Sequence, residues 1–197
     1  MKIIVTAAAV CSLVVLLTGC AAGTSRDVPH LGGGASHVAA GAAQPDKLHA
    51  AAECIRSHGV PGYQDPVVDA SGHVYTDSRS LQNLSDSQSQ ALEQACSSLI
   101  ASAGFSPTDE PPAPPALVAA GVKAAQCLRA NGLPDYRDPN SSTPFTPGHG
   151  FGLSADEIPN HGALGKQDPS LQRAFHACRK LLDAEVRASS LSALARG

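Results

Sequence analysis

Tryptophan is absent from this sequence, and one methionine, three tyrosines and four phenylalanines complete a chain in which aromatic residues hold 4% of 197 positions. An interior built without large rings falls to alanine, leucine, valine and isoleucine, and small units with such thin cores usually need covalent staples. Charge is also sparse: Asp, Glu, Lys and Arg supply 16% of the residues, with a net charge of −3. That balance excludes the basic footprint of a nucleic-acid binder and gives no electrostatic grip on anionic lipid. The usual signatures of catalysis are missing as well. There is no Gly-x-Ser-x-Gly elbow, no Ser-x-x-Lys at a helix start and no phosphate loop after a strand. Gly32-Gly33-Gly34 lies in a stretch of small and polar residues without periodicity.

What is present begins at the N-terminus. Lys2 gives a positive start, Ile3 to Leu17 an apolar run, and Gly19 a small residue before Cys20, the three-part pattern of an export signal. The run is too short to span a bilayer comfortably. Leu17-Thr18-Gly19-Cys20 resembles the lipobox of bacterial lipoproteins. The resemblance implies cleavage between Gly19 and Cys20, a diacylglyceryl group on the Cys20 thiol, and anchorage on the outer face of the cell membrane. Cys11 lies inside the apolar run and leaves with the signal. Residues 20–45 read as a flexible tether.

Beyond the tether the chain repeats itself. Cys54-Ile55-Arg56-Ser57-His58-Gly59-Val60-Pro61-Gly62-Tyr63-Gln64-Asp65-Pro66 aligns without a gap on Cys127-Leu128-Arg129-Ala130-Asn131-Gly132-Leu133-Pro134-Asp135-Tyr136-Arg137-Asp138-Pro139. A weaker echo follows: Ala95-Cys96 with Leu99-Ile100 matches Ala177-Cys178 with Leu181-Leu182. Two related units result, over 46–104 and 116–187. Between them residues 105–115 form an extended linker with Pro107, Pro111, Pro112, Pro114 and Pro115. Residues 188–197 are left as a helix end and tail.

The matched segment reads as the end of a helix. Gly59 and Gly132 each precede an apolar residue and a proline, the order of a left-handed cap that folds Val60 onto Ile55 and Leu133 onto Leu128. Tyr63 and Tyr136 are then expected to lay their rings on the helix with the hydroxyls in water. Ser85 with Gln88 forms a capping box before a second helix, and Asp168-Pro169 a cap and first turn before its counterpart. Leu171, Ala174, Phe175, Cys178, Leu181 and Leu182 share one face of the latter. Val67-Val68 and His73-Val74-Tyr75 flank a turn and predict a short hairpin. Residues 141–161 of the second unit lack the valines, are rich in Pro and Gly, and predict an irregular loop.

The expected fold is therefore mainly α, with little β: two helix–loop or hairpin–helix units carrying one cysteine on each helix. Four cysteines allow three connectivities. Pairing within units, Cys54 with Cys96 and Cys127 with Cys178, is the economical one for a repeated, exported chain, and exchange between units is the alternative. Zinc is not expected, because structural zinc usually takes at least one pair of ligands two to four residues apart. His58 and His176 beside cysteines, and His149 and His161 in the second loop, read as solvated, as do the adjacent carboxylates Asp156 and Glu157. Arg56 with Asp65 and Arg129 with Asp138 predict helix-to-loop ion pairs. The alternative is a repeated recognition surface of Arg56, Tyr63, Asp65, Arg129, Tyr136 and Asp138 that grips an acidic peptide or cell-wall fragment twice.

The string Cys-x-Arg-x-x-Gly-apolar-Pro-x-aromatic-x-Asp-Pro, followed by a helical Ala-Cys, resembles a group of uncharacterised actinobacterial exported or lipid-anchored proteins. The likeness covers both units, although many members have Phe-Pro-Asp-Pro where this chain has Tyr63-Gln64-Asp65-Pro66 and Tyr136-Arg137-Asp138-Pro139. It implies a cell-envelope location and paired cysteines, and carries no activity or cofactor. The expectation is a non-enzymatic module that binds another envelope protein or cell-wall component, or else a small-molecule or metal binder with a pocket between its units.

Overall fold

The computed structural model describes residues 45–109, 111–158 and 165–197. The signal, almost all of the tether, and with them Gly19 and Cys20, lie outside the described residues. No helix among the described residues is long and apolar enough to cross a membrane.

The described chain is mainly helical. Helices α1 (Pro45–Ser57) and α2 (Asp86–Ala103) pack together in the first unit, and α3 (Pro115–Ala130) and α4 (Pro169–Ala188) in the second. Between the helices of each pair lies an antiparallel hairpin, β1 (Val67–Val68) with β2 (Val74–Tyr75), and β3 (Phe145–Thr146) with β4 (Gly150–Phe151). A four-residue helix α5, Leu191–Leu194, ends the chain.

Local chemistry sets the helix ends. Ser85 accepts from Gln88 N–H while the Gln88 side chain reaches back to Ser85 N–H at 2.9 Å, closing a capping box on α2. Asp168 accepts from Ser170 and Leu171 ahead of Pro169, so α4 starts with two of its orphan donors satisfied. At the other end of α1 and α3, Gly59 and Gly132 adopt φ of 111° and 120°, which only glycine takes without strain. Val60 N–H then reaches Ile55 O at 3.3 Å and Leu133 N–H reaches Leu128 O at 3.1 Å, the six-to-one bond of a Schellman ending.

Each helical pair has its own core. Ala52, Ile55, Val60, Tyr63, Leu92 and Cys96 are buried together in the first unit, and Leu128, Leu133, Tyr136, Leu171, Ala174 and Cys178 in the second. Both cores are crossed by a disulfide, Cys54–Cys96 and Cys127–Cys178. The within-unit connectivity is therefore the one formed. Loops of 42 and 51 residues are closed, each worth about 4 kcal/mol in the chain-entropy model.

A further core joins the units. Tyr75 from the first hairpin meets Phe145 of the second at a centroid distance of 6.2 Å, and Phe145 in turn meets Phe151 edge-on at 6.1 Å. Leu117, Leu191 and Leu194 close this cluster. The proline-rich linker runs along it, its carbonyls and amides tied to both units: Tyr75 donates to Pro112 O at 3.0 Å, Thr76 to Pro107 O at 3.0 Å, and Ala113 N–H to Ser141 O at 2.9 Å.

Two expectations need correction. The second unit's 141–161 segment is not wholly irregular, since β3 and β4 pair and a 3₁₀ turn follows at Ala155–Glu157. Tertiary bonds hold that hairpin: Gly148 N–H donates to Ser189 O at 2.7 Å and Phe151 N–H to the Glu185 carboxylate at 2.7 Å. The tyrosines are also deeper than expected, at 2% and 6% exposed. The Tyr63 hydroxyl is buried without a hydrogen-bond partner among the described residues.

Candidate functional site

The repeated segment folds into the same structure twice. Arg56 Nη1 donates to Tyr63 O at 2.9 Å and to Asp65 Oδ1 at 2.7 Å, and Arg129 Nη1 donates to Tyr136 O and Asp138 Oδ1, both at 2.8 Å. The guanidinium on the last helical turn thus satisfies a carbonyl of the loop that would otherwise lack a partner, and the aspartate completes its charge. His49 and Glu53 extend the first copy, at 2.7 Å to Asp65 and Arg56 respectively. Hydrogen bonds to Asp65 and Glu53 raise the Arg56 pKa above its ordinary value. Burial alone would push the Asp65 carboxyl up, but His49 and Arg56 outweigh it and hold the group below its usual range.

The six candidate recognition residues are therefore assembled in two clusters with unequal faces. Tyr63 and Tyr136 are interior, and the arginines point one nitrogen inward. Asp65 and Asp138 remain about half exposed, with side chains 47% and 49% accessible. The two carboxylates are the outward members.

A second tie fixes the same loops and was not legible in the spacing. Buried Asp77 accepts from Gln64 N–H at 3.2 Å, and buried Glu157 accepts from Arg137 N–H at 3.1 Å. Gln64 and Arg137 are equivalent in the repeat, but their acceptors are not: Asp77 caps its 3₁₀ turn, whereas Glu157 is the last residue of its own. Glu157 is thus a correction to the solvated pair expected at 156–157. Burial would raise its pKa, but N–H donors from Ser154 and Arg137 more than compensate and lower it. Asp156 stays exposed and pairs with Arg137 at 3.0 Å.

Cavities lie within the units and at their junction. In the second unit a pocket of 380 Å³ is lined by Tyr136, Arg137, Asp138, Asn140, Thr143 and Glu157, among others. In the first, a larger open groove of 510 Å³ runs between α2 and the start of the linker, over Leu81, Leu84, Leu92, Ile100, Phe105 and Pro107. Its rim is Ser89, Ser97, Ser106 and Thr108, and Glu93 is its one ionisable lining residue. The cavity at the junction, between the first hairpin, the linker and Gly197, measures 180 Å³.

Each disulfide carries a nitrogen donor in the same place. His58 Nδ1 lies 3.6 Å from Cys54 Sγ and 3.8 Å from Cys96 Sγ, and Asn131 Nδ2 lies 3.6 and 3.8 Å from Cys127 and Cys178 Sγ. Both also contact the carbonyl four residues back, at 2.9 and 2.8 Å. A carbonyl only accepts, so the His58 contact is a hydrogen bond in the tautomer that carries its proton on Nδ1. Cys54, His58 and Cys96 are close enough to resemble a ligand set, but with both sulfurs bonded to each other neither is a thiolate, the form that binds metal. His149 touches Arg79 of the first unit at 3.3 Å. No family model matches the chain, and no curated protein or solved structure is significantly similar to it.

Proposed function

We propose that this is a lipid-anchored, non-enzymatic protein of the cell envelope, tethered through Cys20 on the outer face of the membrane, which binds another envelope protein through its first unit. The groove beside α2 carries this reading. It is a large apolar concavity in a protein short of apolar core, and its lining of leucine, isoleucine, phenylalanine and proline suits the apolar face of a partner segment. Helix α2 contributes Asp86 and Glu93 and no lysine or arginine, so the segment that fits carries basic residues beside its apolar ones.

Mass spectrometry of the protein from its native membrane tests the anchor: an N-terminal diacylglyceryl Cys20 supports it, and an intact Met1 removes it. For the groove, a photo-crosslinker is placed at Ser89 or, as control, at Lys123 on α3 in the membrane-bound protein. A discrete adduct from Ser89 alone, lost with Ser97→Arg, is expected. Equal adducts from Lys123, or none from Ser89, would reject the groove as the docking surface. A second reading, a small polar ligand such as a cell-wall fragment, is favoured by the charged lining of the 380 Å³ pocket. Saturable calorimetric binding of such fragments, abolished by Asp138→Ala, would put it first.

A further inference from the structure

We propose that Cys54–Cys96 is a thiol–disulfide exchange site, activated by His58, whereas Cys127–Cys178 is a fixed staple. The two bonds are near-copies of each other. In each, the first sulfur belongs to a half-buried cysteine on the last turns of a helix, and the second to a cysteine exposed by 0% or 1%. In each, a positive-φ glycine follows the donor residue. The donor nitrogen is 3.6 Å from the outer sulfur and 3.8 Å from the inner one in both units. The chemical difference is the donor itself. Asn131 offers an amide that neither carries charge nor releases a proton. His58 offers an imidazole, a ring able to do both.

That difference acts on the leaving sulfur. The thiolate of an external dithiol attacks Cys54 Sγ, the reachable atom, forming a mixed disulfide as the Cys54–Cys96 bond breaks. Cys96 Sγ departs with the bonding electrons and takes the Nδ1 proton of His58, whose ring is exposed and recovers a proton from water. The second thiol of the dithiol then attacks its own sulfur in the mixed disulfide, and Cys54 leaves and is protonated. The dithiol is oxidised by two electrons, the protein disulfide is reduced, and two protons pass to the new thiols. A leaving thiolate stabilised by an adjacent donor departs faster. Among the described residues the hydrogen-bonding neighbours of the His58 ring are Ser57 Oγ, Cys54 O and the two sulfurs, with no carboxylate bonded to it.

The test is timed reduction of the full mature chain with dithiothreitol, quenched by alkylation, with each cysteine read by peptide mass spectrometry. Cys54 and Cys96 are expected to label about three- to ten-fold faster than Cys127 and Cys178. His58→Asn should bring the two rates together, and Asn131→His should accelerate the second bond. Each variant installs the residue that the other unit already holds, and hydrogen exchange in α1 and α3 checks that the fold is kept. Equal rates in the wild-type chain would overturn the proposal. So would a difference that survives His58→Asn, since that would assign the contrast to local opening of the first unit.

Discussion

Glu185 is an acid in an interior position, 3% exposed on α4, accepting one N–H from Phe151. Burial pushes its pKa above the ordinary 4.5, and the single amide offsets only part of that. A carboxyl with a raised folded-state pKa contributes its full stabilisation below the unfolded value and loses it as pH rises through the folded one. Asp65, Asp69 and Glu157 are shifted the other way and weaken the fold as pH falls below the ordinary carboxylate range. Glu185→Gln keeps an oxygen for Phe151 and removes the buried charge. Its expected effect is a gain of about 1 kcal/mol at pH 7 that vanishes near pH 4, read from urea unfolding at both values. A loss of stability at pH 7 would show that the charge is held favourably.

At the level of elements, the two units reach one architecture with different residues. Gly121 lies six positions before Cys127, where the first unit has the buried Leu48 six positions before Cys54. The glycine admits the second hairpin: a Cβ there would stand 2.6 Å from the Phe151 ring and 2.7 Å from Pro139. Alanine gains about 1 kcal/mol of helix propensity, but overpacking against a buried ring and a fixed one costs about 1–3 kcal/mol. Gly121→Ala is therefore expected to lower the melting temperature, and a rise would show that the hairpin yields.

The same comparison explains what the sequence discloses. Caps, helix faces and the arginine–aspartate pairs were legible because they depend on spacing along one helix and its exit loop, and the repeat states that spacing twice. The first hairpin was legible from its valines and Tyr75. The second was not, because Pro144, Pro147, Gly148 and Gly150 carry no strand pattern, and its bonds come from Ser189 and Glu185, far along the chain. The buried acceptor roles of Asp77 and Glu157 are illegible for a related reason: one role is filled from two different positions of a turn. The groove depends on how α2 meets the linker, which no local pattern encodes.

For the whole molecule, the joint between units rests on residues outside the matched segments 54–66 and 127–139. Leu194 is fully buried among Tyr75, Leu117, Phe145, Phe151 and Leu191. Leu194→Ala should cost about 2–5 kcal/mol. Hydrogen exchange should show that loss in both hairpins and the linker, while the stapled pairs α1–α2 and α3–α4 keep their protection. Faster exchange confined to α5 would mean that each unit holds its hairpin unaided.

The pairing of neighbouring cysteines has a kinetic corollary. A chain that emerges N-terminus first presents Cys54 and Cys96 before Cys127 appears, and then Cys127 and Cys178 in turn. With the Cys20 thiol taken by the lipid proposed above, each remaining thiol meets its native mate as the nearest unpaired one, so simple oxidation in order of emergence reaches the final connectivity. Maturation then calls for a catalyst that makes disulfides, and none that reshuffles them.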